Sequence, residues 1–130
     1  MDAKLRSEAR KLRGMGSEQA ASHLIQHWPR SDKHTFIVIE HLSWKVTDQI
    51  RLAAHFLPGK TFPHAYPYGA FASFMSAKHF LAAIDQLWPD DAWDRDLLLY
   101  HLGPILNKYA VLEGNRAAIA EFLASHQQSP

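Results

Sequence analysis

The chain matches itself, without gaps, when it is shifted by 60 residues. Two tryptophan-proline pairs coincide in this match, Trp28-Pro29 and Trp88-Pro89. Proline cannot continue a helix and restricts the residue before it, so each pair predicts a corner between two helices with the tryptophan packed over it. The match therefore indicates two copies of a helix, a corner and a second helix. Further identities in this match include Met15 with Met75, Gln26 with Gln86, His41 with His101, and Leu42 with Leu102.

Apolar residues elsewhere recur at the spacing of a helix. Leu5, Ala9 and Leu12 fall on one face of the first segment. Later segments begin at residues that cap helices, because their side-chain oxygens accept hydrogen bonds from the free N–H groups of a first turn. The predicted capping residues are Ser17, Ser76, Asp90 and Asp91, with Asp94 in the turn that follows, and Thr47 or Asp48 near the start of another helix.

Residues 34–44 form the one segment whose pattern permits either a helix or a strand. The run Phe36 to Ile39 consists of good strand formers and has no one-sided pattern. A strand needs a partner, however, and no second run of this kind occurs before Leu97. We therefore predict a buried helix in this segment.

These patterns together predict an all-α domain of about six to seven short helices in antiparallel hairpins. The two-copy pseudo-repeat, with its period of 60 residues, resembles a very short HEAT-like or other helical-repeat stack. The second copy departs from the first at Gly103-Pro104, where we predict that its second helix kinks or stops. The predicted single domain, 1–130, consists of a basic N-terminal helix (1–14), a first helical unit (15–57), a connector rich in proline and aromatic residues (58–73), a second helical unit (74–126) and a tail (127–130).

Composition narrows the class of protein further. A length of 130 residues suffices for one core, and a net charge of +1 is not that of a strongly basic nucleic-acid binder. Cysteine is absent, which excludes thiol nucleophiles, thiolate metal sites and disulfides. The N-terminal segment is charged where a signal peptide needs an apolar core, and the apolar runs are short. We expect a soluble cytoplasmic protein without membrane contact.

Residues 54–61, AHFLPGKT, satisfy the loose form of a phosphate-binding loop. That motif works when a strand precedes it and a helix begins directly after it, so that backbone N–H groups and the helix dipole face the phosphates. The preceding segment is helical in pattern, alanine replaces the first glycine, and Pro63 and Pro67 prevent a regular helix directly after Thr61. We therefore do not expect Lys60 and Thr61 to bind a nucleotide.

Nine histidines raise the alternative of a metal-binding protein or a metal-dependent enzyme. His23 and His27 share a helix face at i and i+4, but the glutamate of an HExxH motif is missing and a third ligand would have to come from elsewhere. His41 and His101 hold equivalent positions in the match, either as a metal or pH-sensitive pair or as two structural histidines bonded to backbone carbonyls. We favour structural histidines and predict no catalytic residue, metal or cofactor.

The connector carries residue types that are enriched in protein interfaces, and its prolines reduce the entropy lost when such residues are presented to a partner. Phe71 and Phe74, at i and i+3, are predicted to begin a helix and to pack inward. The predicted partner-binding residues, which we expect on the surface, are Phe62, His64, Tyr66 and Tyr68.

Helical stacks most often bind other proteins, which is an analogy from fold to function. We accordingly expect a small helical protein-interaction module, such as a bacterial regulator, an adaptor or a toxin-neutralising protein of the immunity or antitoxin type. Assembly with copies of itself is compatible with this expectation. A non-enzymatic function is favoured over the metal-dependent alternative.

The first helix has an unusual concentration of positive charge, which could contact phosphates. Interleaved aromatic residues and a recognised nucleic-acid motif are missing from it. We therefore favour a helix that packs on the domain with solvated charges, and expect nucleic-acid binding less. The five cations are Lys4, Arg6, Arg10, Lys11 and Arg13.

Overall fold

The computed structural model describes residues 1–127, in which eight α-helices and one 3-10 turn occur and no strand. This confirms the all-α prediction, with more helices than expected. None of these helices combines the length and the apolar content that a bilayer crossing requires. The predicted tail, apart from residue 127, lies outside the described residues. The helices are α1 (Ala3–Met15), α2 (Ser17–His27), α3 (Lys33–His41), α4 (Val46–Phe56), α5 (Tyr66–Ala72), α6 (Ala77–Gln86), α7 (Ala92–Ala110) and α8 (Arg116–Gln127), with the 3-10 turn at Glu113–Asn115.

Helix starts follow the capping chemistry in part. Ser76 and Asp91 accept hydrogen bonds from the N–H groups three residues ahead, which confirms both as caps. The prediction for Ser17 is wrong, because it is the first residue of α2 and its hydroxyl serves a tertiary contact. That hydroxyl donates to Asp48 at 2.6 Å and accepts from the N–H of Lys45 at 2.9 Å. Asp48 is therefore a buried link between α2 and α4 instead of a cap.

Helix α3 contributes four buried residues to the core, and it confirms the predicted helix in segment 34–44 except for residues 42–44, which lie beyond its end. Its Phe36 is 1% exposed and meets three other rings edge to face. The ring centroids are 6.2 Å from Phe56 on α4, 5.5 Å from Phe62 in the connector and 6.4 Å from Phe71 on α5. These contacts join the first helical unit, the connector and α5 in one apolar cluster.

The two tryptophans of the Trp-Pro pairs are half-buried and pack against the core, in agreement with their predicted place at helix corners. Trp88 also stacks on His126 of α8, with ring centroids 3.7 Å apart. The imidazole of His126 in turn contacts Asp85 near the end of α6. The second corner is thus tied to the last helix.

The two-copy organisation stays a prediction. Helices α2 and α6 begin at residues 17 and 77, which agrees with the period, but α3 ends at His41 whereas α7 continues through the equivalent position. We predicted a kink or a stop at Gly103-Pro104; α7 does not stop there, and the kink stays a prediction. Pro104 and Tyr100 are both exposed, so water can reach the turn at which the proline removes a backbone hydrogen bond.

Candidate functional site

The structure divides the four predicted partner-binding residues between the core and the surface. His64 is exposed and Tyr66 is 41% exposed, as expected for a contact surface. Phe62 and Tyr68 are buried, so the prediction that they are exposed is wrong. The connector is also not a plain loop, because its second half forms α5. Proline suits the first turn of a helix, where its missing N–H would have no partner, and Pro67 occupies such a position.

Phe62 is held in the core through its backbone as well as its ring. Its N–H donates to the hydroxyl of Tyr68 at 3.2 Å, and its carbonyl lies 3.0 Å from Nε2 of His101. A carbonyl only accepts, so Nε2 of His101 carries the proton and donates. The rings of Tyr68 and His101 stack with centroids 6.0 Å apart. These three side chains therefore fix the connector against α7.

The GKT stretch, residues 59–61, lies in the turn that follows helix α4. No strand precedes it, and Thr61 is buried with its hydroxyl donating to the carbonyl of Asp94 at 3.1 Å. The guanidinium of Arg30 donates to the carbonyls of Phe56, Leu57 and Lys60 at 3.0, 3.2 and 3.0 Å. A phosphate-binding loop presents N–H groups to its ligand, whereas this turn presents carbonyls that an arginine already occupies.

Gly59 makes the close approach of this turn to Arg30 possible. Its φ of +109° lies in the region that favours glycine, and a Cβ at this position would lie 3.4 Å from Cζ of Arg30. The same guanidinium lies 3.9 Å from the centroid of the Phe62 ring, in the geometry of a cation–π contact. Arg30 therefore shapes the first half of the connector.

A cleft of about 560 Å³ lies between the connector and the start of α7. Its walls include Lys60, Phe62 and His64 on one side and Trp93 and Leu97 on the other. The volume is in the range of sites that accept a small molecule or an anchoring side chain. We call this the connector cleft.

Helix α7 continues the apolar surface beyond the cleft. Trp93, Leu97, Tyr100 and Pro104 recur at i, i+4, i+7 and i+11, within an arc of about 60° at 100° per residue. Trp93 is 77% and Tyr100 is 78% exposed, Pro104 is exposed and Leu97 is half-buried. The two large aromatic side chains leave roughly 300 Å² open to solvent, which is comparable with the largest apolar patch of many monomers. These four residues are called the outer stripe.

The outer stripe was not among the surfaces predicted from the sequence. The signal was present, because α7 has two apolar stripes, and the second one contains the buried residues Leu98, Leu102 and Leu106. A helix that packs on one side only needs a single apolar stripe. Two stripes on one helix would have pointed to a second contact surface.

Tyr66, at the start of α5, joins the connector to α3. Its hydroxyl donates to the carboxylate of Glu40. Partial burial, together with the hydrogen bond and the negative charge of Glu40, raises the pKa of Tyr66 to about 12. Burial also raises the pKa of Tyr68 and of Tyr109, whose hydroxyl donates to the carbonyls of Ala72 and Met75 at the end of α5.

These tyrosines predict a loss of stability in alkali. The folded state holds their hydroxyls protonated above pH 10, whereas the unfolded chain releases the protons near that pH, so the free energy of unfolding falls as the pH rises beyond it. Tyr68 and Tyr109 each contribute at most about 1.4 kcal/mol per pH unit, and Tyr66, which is 41% exposed, contributes less because water screens its hydroxyl. We expect urea denaturation at pH 9, 10 and 11 to show this fall, with a smaller slope in Tyr109→Phe. A slope unchanged in Tyr109→Phe would contradict the assignment to this residue.

The histidines are dispersed. His23 and His27 lie side by side on α2 with ring centroids 4.8 Å apart, and within residues 1–127 no three His, Cys, Asp or Glu side chains are placed to hold a metal ion. His101 is buried and bonds to a backbone carbonyl, which confirms the structural reading for this residue. His41 is exposed, so the same reading is wrong for it.

No protein-family model, no curated protein and no solved structure matches the chain.

Proposed function

We propose that this chain is a small helical protein-interaction module, and that its contact surface consists of the outer stripe, the connector cleft, His64 and Tyr66. The exposure of Trp93 and Tyr100 on one face of α7 is the observation that carries the proposal. Aromatic residues of this kind dominate the binding energy of protein interfaces when a partner covers them. A regulator, an adaptor or a toxin-neutralising protein are roles that such a module fills.

The partner that fits this surface is an amphipathic helix of another protein. From Trp93 to Pro104 the outer stripe rises by about 16 Å, which is three helical turns. A partner helix with apolar residues at i, i+4 and i+7 can lie along this stripe and place one large apolar side chain in the connector cleft. Residues 90–96 carry four aspartates and one arginine, so lysine or arginine beside the partner's apolar stripe would complement this end.

Quantitative affinity capture with matched variants tests the proposal. The wild-type chain, Trp93→Ala/Tyr100→Ala and the control Val111→Ala/Leu112→Ala are immobilised and exposed to lysate of the host. Val111 and Leu112 are also large, apolar and exposed, at 75% and 68%. We expect the captured amount of one or more proteins to fall at least tenfold with Trp93→Ala/Tyr100→Ala and to stay unchanged with the control. With the purified partner, the Kd should rise about 30-fold or more, as for the loss of an interface hot spot.

The same variants define the results that would overturn the proposal. The substituted side chains are exposed, so each double variant should unfold within about 1 kcal/mol of the wild type. Equal capture by the two variants would show that the outer stripe is not the contact surface. Sedimentation of a wild-type dimer that Trp93→Ala/Tyr100→Ala dissociates would show that a second copy covers this surface.

A further inference from the structure

A second surface, on helix α1, holds three arginines without partners. Arg6, Arg10 and Arg13 lie at i, i+4 and i+7, within an arc of about 60°. All three are exposed, and within residues 1–127 their guanidinium groups take part in no salt bridge. Three of the other four arginines, Arg30, Arg51 and Arg116, donate to carbonyl, carboxylate or hydroxyl oxygens.

His41 completes this surface from the end of α3. It lines a cleft of about 200 Å³ together with the three arginines. It also lines an adjoining cleft of about 260 Å³, with Arg13 and Ser17 among the other walls. Because Arg13 and His41 belong to both clefts, the two form one groove. We call it the arginine groove.

The positive charges at Arg6 and Arg10 repel each other in the folded chain, whereas Arg13 lies in the last turn of α1, where the helix dipole favours a cation. Like charges at i and i+4 on a helix destabilise it by about 0.2–0.5 kcal/mol per pair. The carboxylates of Asp2, which caps α1, and of Glu8 within α1 do not neutralise these arginines. Asp2 accepts a hydrogen bond from the N–H of Leu5, and Glu8 lies 3.9 Å from Nζ of Lys11. A bound anion would remove the repulsion among the arginines.

We propose that the arginine groove binds the phosphodiester backbone of single-stranded nucleic acid without reading its bases. Guanidinium groups bind phosphate oxygens in a two-pronged geometry. The three arginines span about 10 Å along α1, and each guanidinium can bind one phosphate of a strand that follows the groove. Trp44, the aromatic residue of the groove wall, is 8% exposed and offers no open face for a base to stack on.

The packing of α1 favours nucleic acid over a membrane surface. A helix that lies on a membrane inserts its apolar face between the lipids. The apolar face of α1, formed by Leu5, Ala9 and Leu12, is buried in the core and cannot do so. A concave groove also suits a strand better than a flat layer of head groups. We predicted solvated charges for the first helix because the sequence does not show that His41 lies beside the arginines.

Fluorescence anisotropy with a labelled 12-nucleotide oligouridylate tests this proposal. With three phosphate contacts, the affinity of the wild type should fall about 20-fold between 50 and 200 mM monovalent salt. Arg6→Gln/Arg10→Gln should bind at least tenfold more weakly at 50 mM and lose most of the salt dependence. Lys4→Gln/Lys11→Gln removes the same charge from other faces of α1 and should stay within threefold of the wild type. Circular dichroism confirms that both variants are folded.

Four results would overturn the proposal. The first is that the wild type does not bind the oligonucleotide at 50 mM salt, and the second is that the arginine and lysine pairs weaken binding equally. The third is that sodium tripolyphosphate binds as tightly as the oligonucleotide. The fourth is that the chain binds phosphatidylserine vesicles and not the oligonucleotide. The third result would assign the groove to small polyphosphates. The fourth would assign it to an anionic membrane.

Discussion

Replacing Phe36 by alanine is expected to lower the free energy of unfolding by about 3–5 kcal/mol. The ring is 1% exposed and lies among Phe56, Phe62 and Phe71, so its removal leaves a cavity where α3, α4, α5 and the connector meet. A domain of this size has a total stability of about 5–15 kcal/mol. The corresponding fall in Tm is roughly 10–20 °C.

Urea denaturation followed by circular dichroism measures this effect. Phe74→Ala is the matched control, because Phe74 is half-buried at the edge of the same cluster and its ring touches Phe71. We expect Phe74→Ala to lower the free energy of unfolding by about half as much as Phe36→Ala, because folding buries less apolar surface at Phe74. If Phe36→Ala cost less than Phe74→Ala, α3 would not be the centre of the core.

The second large effect is expected at Arg30. Arg30→Ala removes donors to three carbonyls and the contact with the Phe62 ring, and we expect a loss of about 2–4 kcal/mol. Besides lowering the overall stability, the substitution should loosen the turn from α4 into the connector, because these bonds hold that turn in place. Trypsin, which cuts after the exposed Lys60, should therefore cleave the variant faster than the wild type.

Two further variants separate the geometry of Arg30 from its charge. Arg30→Lys keeps the charge but cannot reach three carbonyls at once, so it should recover less than half of the loss. Arg95→Ala removes a half-buried arginine for which the described residues provide no hydrogen-bond partner, and should change stability by about 0.5 kcal/mol or less. A full recovery in Arg30→Lys would mean that charge alone matters at this position.

The two proposed surfaces are independent of each other. The outer stripe and the connector cleft depend on α7 and on the turn that Arg30 holds, whereas the arginine groove depends on α1 and the end of α3. Arg30→Ala should therefore weaken partner binding and leave oligonucleotide binding unchanged. A chain that uses both surfaces would bring a protein and a nucleic acid together.

Much of the helical content could be predicted from the sequence, because caps and helical spacing act within a few residues. Ser76 and Asp91 begin their helices as expected, and Phe71 packs inward from α5. An exception arises where a side chain has a distant partner: Ser17 does not cap α2, since its hydroxyl donates to Asp48.

The candidate site was predictable only as a region. Of the four residues predicted in the connector, His64 and Tyr66 are exposed. Tyr68 is the same residue type as Tyr66 and Phe62 is also aromatic, yet both are buried: they bond to each other, and Phe62 also bonds to His101, 39 residues further along. No local pattern distinguishes an aromatic side chain that will find such partners from one that will not.

Most of the helices and the corners at the two Trp-Pro pairs follow from residues within a turn or two, so they could be predicted without a fold. Tertiary contacts determine which of the two apolar stripes of α7 faces the core, and that His101 is buried while His41 joins three arginines at the surface. Both stripes are apolar enough to be buried. The choice between them depends on which helices pack against α7, and those contacts join residues far apart in the chain.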